Sequence, residues 1–265
     1  MLPRYIIAVD LGQVNDYSAI AVLARTEQPT GRQDIVPNLA SWFDGGKDQP
    51  RYVRRPQLAG HYDVVFLERL ALGTPYTDIP GRLQTIEAGI GQQWVEHAWH
   101  ALQDEAAALG LHRQRDSGPT LADAPVEVVV DGTGVGRPVM DLLREAGIDA
   151  VAITIHGGDR VIRVHDREFR TPKRDLVGAV QSALQSRRLR AAAALPLWPT
   201  LKAELGNFKA RISLNGHDSY GAGSDWRQNN HDDLVLALAL GVWWGETVWA
   251  APVTGRMSSV ENRRI

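Results

Sequence analysis

Three places in the 265-residue chain carry acidic side chains where a carboxylate could take part in chemistry. Asp10 ends an apolar run, Asp131 ends a second one, and the pair Asp232 and Asp233 directly precedes a third. A carboxylate beside buried apolar residues is unfavourable unless a positive charge lies next to it. We therefore predict that the chain folds to bring these acids together around divalent metal ions.

The chemistry that this set of acids suits is phosphodiester hydrolysis. Two Mg²⁺ or Mn²⁺ ions about 3.5–4 Å apart can activate a water and stabilise the leaving oxygen, and such hard ions prefer oxygen ligands. We expect Asp10 to bridge the ions and Asp131 to be a second ligand. Adjacent helix residues point about 100° apart, so one of Asp232 and Asp233 should contact metal. His231 could orient this pair, ligate a metal or move a proton.

Each acid, taken alone, also has an ordinary structural explanation. Asp10 could be a turn residue, and Asp131 could cap the helix that follows its glycine-rich turn. Asp232 and Asp233 could be capping residues, since Asp is common at helix starts. Glu68, which ends another apolar run, could be a fourth ligand, although a salt bridge at a strand end is the favoured interpretation.

Positive charge is concentrated between positions 160 and 174, whereas the whole chain has a net charge of −2. Binding to nucleic acid would therefore need a local patch. The residues expected to contact substrate phosphates are Arg170, Lys173, Arg174 and Lys209. A solvated charged surface is the alternative explanation for this cluster.

Short apolar runs predict the strands that would position the acids. They cover residues 5–10, 17–23, 62–69, 126–131 and 150–155. Residues 25–34, which include Pro29 and Gly31, are expected to form a turn. Alternation of apolar and polar residues from Phe208 to Leu214 predicts a half-buried strand, in a hairpin around Asn215 and Gly216.

Apolar residues at helical spacing predict the helices. A long helix is expected from about Pro80 to Leu109, a shorter one from Val139 to Ala146, and a third after Lys173. The segment Leu234–Trp244 is apolar nearly all round, which predicts a closing helix inside the fold.

These elements predict an α/β fold of the ribonuclease-H-like class. Its mixed sheet would combine an antiparallel meander with parallel strands, flanked by helices, with a C-terminal β-hairpin and a closing helix. We expect one domain over residues 1–250 and a flexible tail over 251–265. No apolar run reaches the roughly 18 residues of a membrane span, and the absence of cysteine suits a reducing cytoplasm.

Several stretches of the chain carry a resemblance to a known family. They are Ile7–Asp10, Leu67–Tyr76, Val130–Pro138, Pro172–Val177 and His231–Leu240. In these stretches, which span about residues 4–245, the chain resembles the nuclease domain of phage large terminase subunits. The resemblance implies a metal-dependent endonuclease that cuts concatemeric double-stranded DNA during genome packaging. It places the metal-binding acids at Asp10, Asp131, Asp232 and Asp233.

The chain departs from full-length terminases in one respect. Those proteins carry an ATPase motor with a glycine-rich P-loop, and no GxxxxGK[ST] stretch occurs here. The resemblance then implies a separate ATPase motor, with a small terminase or portal as further partners, or else a role outside packaging. The expected location is the cytoplasm of a bacterial host.

Two other classes of function stay open from the residues. Actin-like and sugar-kinase-like phosphotransferases also begin with a strand that ends in Asp-x-Gly, as Asp10 to Gly12 does here, but their duplicated core usually needs a longer chain. The third possibility is a non-catalytic relative that binds DNA or a portal-like partner. Clustered carboxylates that repel one another argue against a pure binding module.

Overall fold

The protein is described by a computed structural model that covers residues 2–12, 16–38, 50–111, 118–134, 136–214 and 232–247. Within these residues the strands are β1 (Arg4–Asp10), β2 (Ala19–Pro37), β3 (Tyr52–Arg69), β4 (Val126–Asp131), β5 (Val151–His156), β6 (Ile162–His165), β7 (Glu168–Pro172) and β8 (Leu189–Ala191). The helices are α1 (Ile79–Ala108), α2 (Gly136–Glu145), α3 (Lys173–Gln185), α4 (Trp198–Leu214) and α5 (Asp233–Thr247).

In the described part of the chain, the eight strands form one mixed sheet in the spatial order β6-β7-β5-β4-β1-β2-β3-β8. Strands β1, β2 and β3 make an antiparallel meander, whereas β4 and β5 run parallel to β1. The predicted α/β architecture, a mixed sheet that combines an antiparallel meander with parallel strands and is flanked by helices, is confirmed. Because β1, β4 and β5 are parallel, their carboxyl ends lie at one edge of the sheet.

Helices cover both faces of the central strands, which explains why β1 is apolar at every position after Arg4 until its final acid. Side chains alternate between the two faces of a strand. Ile6 and Ala8 pack in a cluster with α3, α4 and α5. Ile7 and Val9 pack in a second cluster on the opposite face, with α1 and α2.

Helix α5 packs closely against the sheet because two of its glycines, Gly241 and Gly245, face the strands. A Cβ at Gly241 would lie 2.7 Å from Leu23 Cδ1 and 3.1 Å from the Cβ of Ala8. One turn later, a Cβ at Gly245 would lie 2.6 Å from the ring of Tyr62. The predicted burial of this helix is confirmed, and its apolar residues pack against the sheet, α3 and α4.

The predicted turn over residues 25–34 is wrong. Strand β2 continues to Pro37, and β3 begins ten residues before the predicted position, at Tyr52. Pro29 and Gly31 lie where the pairing of the two strands shifts register, between Pro29 and Gln33. Proline and glycine in a strand often mark such an irregularity, so the two residues bend the ribbon without ending it.

The predicted strand over Phe208–Leu214 is also wrong, because these residues continue helix α4. A seven-residue alternation fits either period, whereas Trp198, Leu201 and Leu205 upstream pack on the core at helical spacing. A helix that has started extends at little further cost. The hairpin turn predicted at Asn215 and Gly216 and the tail over 251–265 lie outside the described residues.

Three short strands, β6, β7 and β8, were not predicted from the sequence. They extend the two sides of the sheet. None of the helices described above is both long enough and apolar enough to cross a membrane.

Candidate active site

Sheet topology brings the first two acids side by side. Val9 is paired with Val130 in the parallel register of β1 and β4, so the next residues, Asp10 and Asp131, are neighbours at the carboxyl edge. Their exposed fractions are only 8% and 6%. The structure thus places two carboxyl groups, 121 positions apart in sequence, in one buried location.

The two carboxyl groups lie close enough for each to influence the ionisation of the other. Burial raises the pKa of Asp10 well above its ordinary value, and the charges of Asp131, Asp233 and Asp232 raise it further. Burial also raises the pKa of Asp131, although hydrogen bonds from Thr133 and the charge of Lys173 act in the opposite direction. Buried carboxylates that raise one another's pKa are stabilised by a compensating cation.

The glycine-rich turn after β4 orients Asp131. Thr133 donates its backbone N–H to Oδ1 of Asp131 at 2.7 Å, and its hydroxyl oxygen accepts the Ile155 N–H at 2.7 Å. These bonds fasten the turn to β5. Within its described residues, this segment is a tight turn.

The third acid, Asp233, is the first residue of α5. Asp233 is 7% exposed, and Asp232 immediately before it is half-buried. The charges of both residues act on Asp10. A negatively charged side chain is favoured at a helix N-terminus by the helix dipole. Asp131, Asp233 and Asp232 therefore all lie within electrostatic range of Asp10.

A fourth acid and an arginine, which the sequence analysis did not select, lie against Asp233. Arg69 at the end of β3 forms an ion pair with Glu204 of α4, and its Nη2 is 3.5 Å from Oδ2 of Asp233. Burial raises the pKa of Glu204 to about 7, against the opposing effects of the Val235 N–H and Arg69. Nothing in the local sequence indicates that Glu204 belongs to the site. Residues 202–205 alternate charged and apolar side chains, as in an ordinary amphipathic helix.

The predicted substrate-binding residues have different surroundings. Lys173 begins α3 at the carboxyl end of β7, and its charge acts on Asp131. Arg170 is exposed on β7. Arg174 pairs with Asp159 at 2.6 Å. Lys209 belongs to α4, but its side chain, like all of His231, lies outside the described residues.

Glu68 does not join the acids at this edge. Its Oε2 accepts a hydrogen bond from Nε of Arg82 at 2.8 Å. This geometry supports the strand-end salt bridge that the sequence analysis favoured. Parts of the basic cluster are likewise paired with acids, because Arg163 contacts Asp166 and Arg167 contacts Glu127.

The donor set fits a hard divalent cation in its chemistry. Asp10 and Asp131 supply adjacent oxygen ligands at a buried position, and a cation there would offset their mutual repulsion. In the described part of the chain, however, no group of three or more His, Cys, Asp or Glu side chains is arranged to hold a metal ion. Asp233 faces Arg69 instead, so the roles predicted for the individual acids stay predictions.

Comparison with known proteins gives likenesses in structure. No protein-family profile and no curated protein matches the sequence. The large terminase nuclease from thermophilic phage G20c has a TM-score of 0.38 and 17% identity, over 90% of this chain and 81% of that chain. The manganese-soaked terminase nuclease domain of human cytomegalovirus has a TM-score of 0.37 and 11% identity, over 94% and 86%. In structure, the chain is similar to terminase nuclease domains over most of its length.

Proposed function

We propose that this protein is a divalent-metal-dependent endonuclease that hydrolyses phosphodiester bonds in DNA. One observation carries the proposal: Asp10 and Asp131, at the ends of neighbouring parallel strands, are buried side by side, and the charges of Asp131 and Asp233 both act on Asp10. A purely structural role gives no reason to bury carboxylates that destabilise one another. A metal site gives that reason directly.

Asp10 and Asp131 would hold the metal, with Asp233 or Asp232 as the third carboxylate. A bound Mg²⁺ or Mn²⁺ supplies an activated water and stabilises negative charge on the leaving oxygen. The chain's own contribution is to fix the ligands. Thr133 orients Asp131, and the surrounding core excludes bulk water from Asp10, so each charge interacts more strongly than in solution.

Positive charge beside the acids supports a nucleic-acid substrate. Lys173 is placed at the acid edge, as its effect on the pKa of Asp131 requires, and Arg170 is exposed on the adjoining strand. We assign phosphate contacts to these two residues. Arg174 already pairs with Asp159, so its contribution to phosphate binding should be smaller. Such contacts carry little sequence preference.

We extend the proposal to the packaging of phage or prophage DNA. The motifs that resemble terminases support this step, and concatemeric double-stranded DNA in the cytoplasm of a bacterial host would be the substrate. A separate ATPase motor, together with a small terminase or portal, would deliver that DNA. Co-purification of the chain with those proteins from infected cells is the test.

The Asp-x-Gly motif that suggested a phosphotransferase has a local explanation. A Cβ at Gly12 would lie 2.3 Å from the carbonyl oxygen of Asp16 and 2.4 Å from that of Tyr17. The hydroxyl of Ser18 also accepts the Gly12 N–H at 3.1 Å. The glycine is needed for this close turn, so the motif gives no independent support for ATP binding.

Cleavage of supercoiled plasmid tests the proposed function. Wild type is incubated with Mg²⁺, Mn²⁺ or EDTA, beside Asp131→Asn and the control Glu127→Gln. Glu127 lies on the same strand as Asp131, four residues earlier, and pairs with Arg167. Metal-dependent nicking should persist in the control and fall at least 100-fold in Asp131→Asn, as expected when a charged group that stabilises the transition state is lost.

One outcome would refute the proposed metal site, and another would refute the nuclease. Cleavage that continues unchanged in EDTA or in Asp131→Asn would show a different site. No cleavage with either metal, together with saturable ATP binding, would favour the phosphotransferase.

A further inference from the structure

A buried ion pair lies directly behind the third acid of the site. Arg69 pairs with Glu204, and the same Nη2 atom is 3.5 Å from Oδ2 of Asp233. The exposed fractions of the two paired side chains are 18% and 5%. Removing two charges from water to this extent is costly, and such a pair is often no more stable than apolar residues of the same size. Its presence beside Asp233 therefore suggests a role beyond stability.

Glu204 also contacts the backbone of α5. Its Oε2 accepts a 2.9 Å hydrogen bond from the N–H of Val235, two residues after Asp233. The first N–H groups of a helix have no partner inside the helix, so this bond fixes the first turn. Glu204 therefore holds the segment that carries Asp233 in two ways, through Val235 and through Arg69.

Arg69 also contacts a residue near the first acid. Its guanidinium carbon is 5.3 Å from the ring centroid of Tyr17. Tyr17 lies just before β2, and the first residue of β2, Ala19, is paired with Asp10. One arginine side chain thus contacts both the segment next to Asp10 and the segment that begins with Asp233.

We propose that Arg69 and Glu204 are positioning residues, which set the direction of the Asp233 carboxylate relative to Asp10 and Asp131. They would thereby determine how tightly the site holds a divalent metal ion. This inference rests on the proposed function, since it assigns Asp233 a part in that site. Neither residue is proposed to contact the substrate, because both act through Asp233.

A second ion pair on the same helix provides a matched control. Arg188, just before β8, pairs with Glu246 in the last turn of α5 at 2.6 Å. These side chains are 12% and 29% exposed. Loss of this pair loosens α5 at the end far from Asp233. A variant without it therefore measures how much a purely structural ion pair on this helix contributes to stability.

The experiment compares full-length wild type, Glu204→Gln and Glu246→Gln. Glutamine keeps the size of Glu204 and an acceptor for the Val235 N–H, but it removes the charge that pairs with Arg69. Calorimetric titration with Mn²⁺, steady-state plasmid cleavage and thermal unfolding in EDTA are measured on each protein. Glu204→Gln should weaken Mn²⁺ binding and lower kcat at least tenfold, with KM for DNA within twofold. Glu246→Gln should change the unfolding midpoint alone.

Each other outcome contradicts a stated claim. Equal Mn²⁺ affinity in wild type and Glu204→Gln would overturn the positioning role, whether or not the plasmid is cut. Wild type that binds Mn²⁺ without cleaving DNA would refute the proposed nuclease, while the binding comparison still tests positioning. Wild type that binds no Mn²⁺ would refute both. If Glu204→Gln does not fold, Arg69→Lys replaces it and should weaken Mn²⁺ binding at least threefold.

Discussion

Replacing Gly241 by alanine tests whether the site depends on the close approach of α5 to the sheet. The added Cβ would lie 2.7 Å from Leu23 Cδ1, about 0.7 Å or more inside ordinary contact between carbon atoms. Overpacking of this kind costs about 1–3 kcal/mol, against a gain of about 1 kcal/mol in helix propensity. The net change in the free energy of unfolding should be a loss of about 1 kcal/mol.

Gly178→Ala is the matched control. Gly178 is exposed in the interior of α3, and a Cβ there would meet no atom within 4 Å. This variant should gain roughly 0.5–1 kcal/mol, because alanine loses less backbone entropy than glycine. The two variants should therefore differ by about 1–3 kcal/mol in denaturant unfolding, or by several degrees in the melting temperature at about 2–4 °C per kcal/mol.

The same substitution should affect activity, because α5 begins with Asp233. A helix pushed away from Leu23 carries that carboxylate away from Asp10, and misplacement of a reacting group by about 1 Å can cost about 100-fold in rate. We expect kcat for plasmid cleavage to fall at least tenfold in Gly241→Ala and to stay within twofold in Gly178→Ala. The packing argument would be refuted if the Gly241→Ala protein were as stable as the Gly178→Ala protein and retained full cleavage activity.

Two further predictions follow from the buried polar groups. Asp10→Asn should stabilise the metal-free protein at pH 8 and leave its stability unchanged near pH 4. The folded pKa of Asp10 is raised, so its contribution to folding decreases as pH rises from the unfolded value of about 3.9 through the folded one. Urea unfolding in EDTA at both pH values measures this, and a stability gain at pH 4 equal to that at pH 8 would contradict it. Thr133→Val should destabilise the fold by about 1–3 kcal/mol, because the Ile155 N–H loses its acceptor. Thermal unfolding beside the exposed Thr85→Val would detect this loss, and equal melting temperatures would contradict it.

The main features of the fold and two acids of the site could be predicted because their signals are local. Asp10 and Asp131 each end a short apolar strand, and a strand-terminal carboxylate is visible in a window of six residues. The parallel arrangement of β4 and β5 then follows from the helix that connects them. Asp233 was predictable for the same reason, since it opens a helix that is apolar on all sides.

The remaining features depend on contacts between distant parts of the chain. Arg69 and Glu204 are 135 positions apart, and neither stands out among its neighbours in sequence. Pro29 and Gly31 have the composition of a turn, but β2 continues past them because β3 pairs with it on both sides of the irregularity. In both cases the deciding partner lies elsewhere in the fold, so no local pattern could reveal it.

Helix α5 links the stability of the core to the geometry of the site. It is buried from Asp233 to Gly245 except at the half-buried Leu236, and glycines rather than larger side chains face the sheet at two positions. This packing leaves the helix little freedom to shift, while Glu204 at its first turn and Arg188 at its last hold the two ends. A helix so constrained can present Asp233 to Asp10 with little thermal displacement. The closing helix therefore serves as the rigid support for Asp233, the third carboxylate of the proposed site.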